Sequence, residues 1–303
     1  MAPNPSAPEL CAPAGGAGPS LPQCLERGEV VYYPVCPFVL PQGDDRRFLL
    51  AQRLGSRAHK NVSYDPHTGR MSGFRRRGED QARRLRDLLA DFSRTATRWL
   101  AGVVPAYATG WQLDQVSFRP EEEAKRRLRQ TARNDLLHVD AFPSRPTNGR
   151  RILRLFVNVN PTEPRVWMTS EPFGKLFEKY GAAAGLPGRD GPGWADRLRQ
   201  GMARVFRPGR RQRSAYDSFM LRFHDFLKTN DDFQEHCPKR FWQFPPGSAW
   251  LVITDTTSHA ALRGRFALEH SYFVAPHTLA LPAESPAALL ERACGAPVLN
   301  RAA

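Results

Sequence analysis

The chain has 303 residues, 41% hydrophobic and 24% charged, with 44 Lys and Arg against 30 Asp and Glu, a net charge of +14. That length and balance describe a globular chain able to bury a sizeable core, and they exclude disordered or fibrous classes. The charge calls for an acidic partner, whether nucleic acid, an anionic membrane surface or a polyanionic substrate, without choosing among them.

Residues 1–25 are rich in Pro, Ala and Gly and lack the basic start and apolar stretch of a signal peptide. They read as a disordered leader, followed by one domain over 26–303. From Val30 to Leu50, "VVYYPVCPFVLP" and "RRFLLAQ" predict short strands around turns. "GEDQARRLRDLLADFSRTATRWLAGV" predicts an amphipathic helix, with Leu85, Leu88, Leu89, Phe92 and Trp99 at helical spacing. A second helix is expected at "PEEEAKRRLRQTAR", where Pro120 and the acids suit a helix start. Residues 135–170 turn strand-like in "LLHVDAF", "RILRLFVNVNP" and "RVWMTSE", separated by Pro/Asn/Gly turns. A helical insert follows over about 171–235, in "EPFGKLFEKYG", a Gly/Arg-rich loop and "SAYDSFMLRFHDFLKTNDDFQ". Strands return over 240–275 and a short helix, "SPAALLERACG", ends the chain. The fold class is α+β with a mainly β core, the two strand clusters meeting in one sandwich. No run approaches the about 18 apolar residues of a transmembrane helix. The five cysteines form no CxxC pair, which argues against a zinc ribbon or a disulfide framework and fits a reducing compartment.

His138 and Asp140 stand two apart in a strand-like stretch, so both point to the same face and reach one ion together. One imidazole and one carboxylate are two thirds of the 2-His-1-carboxylate triad that holds non-haem Fe(II). The second His must come from a distant strand. His224 lies in a helical pattern, where a His bonded to a carbonyl is expected. His236 beside Cys237 has no second pair to complete a zinc site, His270 sits on an apolar strand, and His277 reads as surface. His259 is selected because it follows an apolar strand and a polar turn, at the rim of the second strand cluster.

The HxD…H arrangement resembles that of the double-stranded β-helix (jelly-roll) Fe(II)/2-oxoglutarate dioxygenases. There a basic residue grips the distal carboxylate of 2-oxoglutarate, on the strand after the HxD turn in one branch and after the distal His in another. Arg154, centred in "RILRLFVNV", matches the first placement, and Arg263 and Arg265 match the second. A guanidinium suits the task because it pairs bidentately and stays charged when buried. Arg151 and Arg165 read as surface residues near turns. More specifically, "LLHVDAFPSRPTNGRRILRLFVNVNP", "YDSFMLRFHDFLKTNDDFQ" and "FPPGSAWLVITDTTSHAALRGRFALE" together resemble the bacterial Kdo hydroxylase family, over roughly residues 30–280. Kdo is 3-deoxy-D-manno-oct-2-ulosonic acid, the acidic sugar that joins lipid A to the lipopolysaccharide core.

The resemblance implies iron on His138, Asp140 and His259, with 2-oxoglutarate and O2 as cosubstrates, and ascorbate as an aid in vitro. It further implies hydroxylation at C3 of Kdo in a Kdo-lipid A precursor, giving the 3-hydroxylated sugar Ko. No nucleic-acid partner is expected. The site of action would be the cytoplasm, with peripheral contact to the anionic inner membrane through basic runs such as "GFRRRGEDQARRLR" and "FRPGRRQRS". Rival readings are the same chemistry on a protein or nucleic acid, a non-catalytic sugar- or lipid-binding jelly roll, and a zinc hydrolase.

Overall fold

The computed structural model describes residues 19–56, 59–122, 128–187 and 213–300. Its strands are β1 (Val31–Tyr33), β2 (Val62–Tyr64), β3 (Met71–Ser72), β4 (Gln112–Arg119), β5 (Arg151–Asn158), β6 (Arg165–Pro172), β7 (Arg240–Phe244), β8 (Ala249–Ile253), β9 (Thr257–Arg263) and β10 (Ala267–Val274). One antiparallel sheet has the order β1-β8-β5-β10-β4-β2-β3, and a smaller one has β7-β6-β9. Residue 138 bridges β9 and extends the smaller sheet. The chain therefore passes back and forth between two facing layers, the winding of a jelly roll.

Each sheet has one face in the interior and helices on the other. α1 (Leu21–Glu26), α2 (Gly43–Leu50), α3 (Glu79–Val103) and α4 (Pro105–Ala108) precede the jelly roll. α3 buries Leu85, Leu89, Phe92, Ala96 and Leu100 in one cluster with Leu153, Leu155 and Val157 of β5. α5 (Phe173–Tyr180), α6 (Ala215–Thr229), α7 (Asp231–His236) and α8 (Pro286–Cys294) contribute Phe173, Phe219, Phe223, Phe233 and Leu290 to a second cluster with Met168 and Ala260 of the smaller sheet. Between the sheets lies an aromatic core of Phe156, Trp167, Phe244 and Trp250, the last two stacked at 3.8 Å. All eight residues of β5 are buried, so this strand has no solvent face.

One expectation is corrected. Arg151 and Arg165 are not surface residues; each is 1% exposed. Arg151 donates through Nε to Asp255 at 2.7 Å, and Arg165 donates to the Gly264 carbonyl at 2.8 Å. Burial of an Arg is tolerated only where such partners replace water. Two boundaries also move. Residues 21–26 form α1, capped by Ser20 and Gln23, so the disordered leader cannot extend to 25. Glu26 pins α1 by accepting from the Tyr107 hydroxyl and the Ala280 and Leu281 amides. The "RRFLLAQ" stretch is the helix α2 rather than a strand, with Asp44 and Asp45 in its first turn where the dipole favours acids. The expected helix at "PEEEAKRRLRQTAR" falls partly outside the described residues, as does the Gly/Arg-rich loop. The described end of the former is only a 3-10 turn, Gln130–Ala132. "LLHVDAF" contributes a single bridge instead of a full strand. Cys36, Cys237 and Cys294 are free thiols.

His270 faces away from the interior of the jelly roll, its Nε2 2.9 Å from the Ser93 hydroxyl of α3 and its Nδ1 without a hydrogen-bond partner. Burial lowers its pKa to about 3. Its unfolded value is about 6.5, so the unfolded state binds the extra proton first. The contribution to stability is complete above that value and is lost as pH falls from it toward the folded value. The loss between pH 7.5 and pH 5 is about 2 kcal/mol. Urea midpoints measured across that range should fall in the parent chain and fall less in His270→Asn.

Candidate active site

The segment that precedes β5 and the start of β9 build the site. Backbone bonds join His138 and His259 in both directions, at 3.1 and 2.9 Å, and the Asp140 amide donates to the Thr254 carbonyl at 2.8 Å. Gln234 of α7 clamps this stretch from outside, accepting from the Leu137 amide and donating to its carbonyl. The polar turn before β5 closes through Asn148 and Gly149, both at positive φ (48° and 83°), a shape that Asn and Gly adopt most readily.

His138, Asp140 and His259 are thereby brought together, each offering one ligand atom within 4.8 Å of the others. His138 Nε2 lies 3.6 Å from Asp140 Oδ1, and His259 Nε2 lies 4.0 Å from Oδ2. Both histidines are oriented from behind. His138 Nδ1 donates to the Leu136 carbonyl at 2.7 Å and His259 Nδ1 to the Thr257 carbonyl at 2.9 Å. A carbonyl only accepts, so each Nδ1 carries the proton and each Nε2 presents a lone pair toward Asp140. Trp167 stacks on His259 at 5.3 Å, and His224 sets its ring edge against His138 at 4.9 Å.

The electrostatics match this assignment. Burial, reinforced by Lys228, drives the His138 imidazolium far below its ordinary pKa, and burial lowers that of His259 against the pull of Asp140. Burial alone would raise the Asp140 carboxyl, but Arg154 and the flanking histidines overcome it and hold the group well below the usual carboxylate range. Two neutral imidazoles and one carboxylate result. Asp140 Oδ2 is buried without a hydrogen-bond partner, which is costly unless something else completes it. A divalent cation is what this donor set fits: two borderline nitrogens and one hard oxygen suit ferrous iron. Among the described residues no other group of His, Cys, Asp and Glu clusters in this way.

Arg154 stands beside the triad. Its two terminal nitrogens lie 3.3 Å from Asp140 Oδ2 and 3.2 Å from Glu269 Oε1, and its Nε is buried without a partner. Glu269 also takes two bonds from Arg119, at 3.0 and 2.8 Å, and so is shared by two guanidinium groups. Arg263 and Arg265 are elsewhere. Arg263 is exposed at the far end of β9, and Arg265 donates to the Pro120 carbonyl and lies over Phe266. The remaining histidines are also distant from the ligand positions or otherwise engaged. His224 donates to the Val139 carbonyl, His236 pairs with Asp232, and His277 is exposed.

Sequence reasoning missed Glu269, Arg119 and the buried Lys228. Glu269 had a signal: a lone acid in the apolar strand "ALEHSYFV" must be paired if that strand is buried. The basic run at residues 73–86 is less free than it reads, because Arg76, Arg83, Arg84 and Arg86 each pair with an acid. The run "FRPGRRQRS" lies outside the described residues except for Arg213 and Ser214.

Comparison with known proteins gives this geometry a family. Residues 17–297 match the family model described as 3-deoxy-D-manno-oct-2-ulosonic acid (Kdo) hydroxylase. The chain is similar to crystal structures of the Kdo hydroxylase KdoO, a non-haem Fe(II) α-ketoglutarate-dependent dioxygenase. The complex with α-ketoglutarate and Fe(III) is 31% identical at a TM-score of 0.80, and the cobalt(II) complex is 32% identical at 0.82. The apo form is 32% identical at 0.80, and in all three the match covers 92% of this chain and 90% of the other. No curated protein matches by sequence. The chain therefore belongs to the Kdo hydroxylase family of Fe(II)/2-oxoglutarate-dependent dioxygenases.

Proposed function

We propose that the protein hydroxylates C3 of a Kdo residue carried by a lipid A precursor, giving Ko, with His138, Asp140 and His259 as the iron ligands. The observation that carries the metal assignment is the convergence of the buried Asp140 carboxylate and two imidazole Nε2 lone pairs, each of the three residues offering one ligand atom within 4.8 Å of the others. Iron bound there supplies the oxidation, in which decarboxylation of 2-oxoglutarate to succinate and CO2 is coupled to hydroxylation of the sugar carbon. The protein's own part is geometric and electrostatic. Leu136 and Thr257 fix the imidazole tautomers through their carbonyls. Trp167 and His224 hold the ring planes, and the aromatic core on the inner side of the site keeps water from it. Arg154 is the cation for the distal carboxylate of 2-oxoglutarate; its guanidinium stands beside the triad and its Nε makes no hydrogen bond within the protein.

The test is mass spectrometry of a Kdo-bearing lipid A precursor incubated with protein, Fe(II), ascorbate and 2-oxoglutarate. The expected product is heavier by one oxygen atom, with one succinate per product. Succinate release without a modified sugar would redirect the same chemistry to another acceptor.

Peripheral contact with the cytoplasmic face of the inner membrane belongs to the same proposal. The net charge of +14 favours it, and no helix among the described residues is long and apolar enough to cross a membrane. Each basic residue close to an anionic surface contributes about 1 kcal/mol, within a Debye length of about 8 Å at physiological salt. Co-sedimentation with vesicles containing anionic lipid should therefore drop steeply between 50 and 300 mM salt, roughly. Salt-independent binding would rule out this mode of contact.

A further inference from the structure

An ulosonic acid places its carboxylate on C2, next to C3. If C3 is the carbon that reacts, the carboxylate sits about 2.5 Å from it, so the group that recognises the acid must stand at the lip of the metal site. The arginines near that lip are mostly committed. Arg154 faces Asp140 and Glu269, Arg119 is spent on Glu269, and Arg151 is locked on Asp255. Lys228 is 1% exposed, donates to the Thr131 carbonyl and lies on the helix that backs His138 through His224.

Arg145 differs on every count. It stands in the turn five residues after Asp140, and its side chain is 33% exposed. One terminal nitrogen engages both carboxylate oxygens of Asp114 on β4, a partner that is only 8% exposed. That anchor fixes the guanidinium while leaving Nε and the second terminal nitrogen with no partner among the described residues. Its plane lies 4.4 Å from the centroid of Phe142, two residues from Asp140, and the same ring carries Arg154 at 5.3 Å. Phe142 is itself braced by Phe273 at 6.1 Å. The series Arg145, Phe142, Arg154, Asp140 thus runs from solvent to the metal ligand, with a preset cationic fork at its outer end. A fork held in place by a buried carboxylate loses little freedom when it takes a second anion.

We propose that Arg145 is a specificity-determining residue that receives the carboxylate of the acceptor sugar, with Asp114 as its positioning residue. This rests on the proposed hydroxylation of Kdo and adds how the acid is told from a neutral sugar. Two charge-assisted bonds to a carboxylate correspond to a loss of about 30-fold in acceptor KM when the fork is removed.

The experiment compares two acceptors, the Kdo-bearing precursor and its Kdo methyl ester, in the parent protein and in Arg145→Gln. The parent should prefer the acid by about 30-fold in kcat/KM, and Arg145→Gln should lose most of that preference, its KM for the acid rising while its iron affinity stays close to the parent's and its melting temperature falls with the loss of the Asp114 ion pair. Arg94→Gln, on the exposed face of α3, serves as the control and should change neither. Arg145→Lys, which keeps the cation, should fall between the two and covers the case in which Arg145→Gln does not fold. An unaltered acid preference in Arg145→Gln overturns the assignment. So does an effect that follows the lipid A phosphates, seen as an equal loss on acid and ester that disappears with a dephosphorylated acceptor. Absence of hydroxylation by the parent would instead show that the underlying functional reading is wrong, and this inference would fall with it.

Discussion

Asp140→Asn should lose ferrous iron by at least about 100-fold in affinity, since changes to outer partners of metal ligands alone cost about 10–100-fold, and hydroxylated product should fall below detection. The substitution keeps the shape of the side chain and removes its charge. The apo fold should keep most of its stability, because the backbone bond to Thr254 remains and Arg154, which gives up its 3.3 Å ion pair to Oδ2, still has Glu269 as a partner. The informative pairing is therefore a small change in apo melting temperature with a large change in metal affinity, read by titration with Fe(II) under anaerobic conditions. A purely structural carboxylate would give the reverse, a less stable protein with iron binding intact. His259→Ala should show the same loss of metal, but with an added cost to the apo fold, because its ring packs on Trp167.

The convergence of His138, Asp140 and His259 was readable in the sequence because its geometry is local at both ends. Residues two apart on an extended chain share a face, and a His just past a polar turn stands at a strand rim. The distance between Asp140 and His259 in the chain did not hide the pairing, since two strand clusters separated by a helical insert have one obvious way to meet. What failed was any inference that depended on how many faces of a strand are covered. Proximity to turns suggests solvent, and on that ground Arg151 and Arg165 read as surface residues. β5 is packed on both sides, by the α3 cluster and by the aromatic core, so its arginines must find partners inside. Asp255, in the turn between β8 and β9, is the partner of Arg151 and lies 104 residues away. No local pattern announces such a pair. The α2 error has a different origin. "FLL" is too short a run to distinguish a strand from one face of a short helix, and the deciding residues are the acids that precede it.

The same covered strand makes Arg154 the second site of large expected effect. Arg154→Met should raise the KM for 2-oxoglutarate by about 10- to 100-fold, the range for losing a charge-assisted, bidentate carboxylate contact. It should also expose a difference between apo and metal-loaded protein. Arg154 pairs with both Asp140, at 3.3 Å, and Glu269, at 3.2 Å. Without it the apo fold holds one buried carboxylate with no compensating charge and another that depends on Arg119 alone. Breaking a buried ion pair in that way costs about 3–5 kcal/mol. A bound divalent cation restores the compensation at Asp140 but does nothing for Glu269. Melting in the presence of Co(II), as a divalent cation for the same donors, should therefore recover part of the lost stability, while the KM defect remains. Arg154→Lys should keep the charge and recover the stability more fully than the KM, because a point charge neutralises the two acids without reproducing the planar fork. Equal destabilisation with and without metal would break the link between Arg154 and Asp140. An unchanged KM for 2-oxoglutarate would assign the distal carboxylate to another group, and Arg119, the second cation on Glu269, would be the next residue to replace.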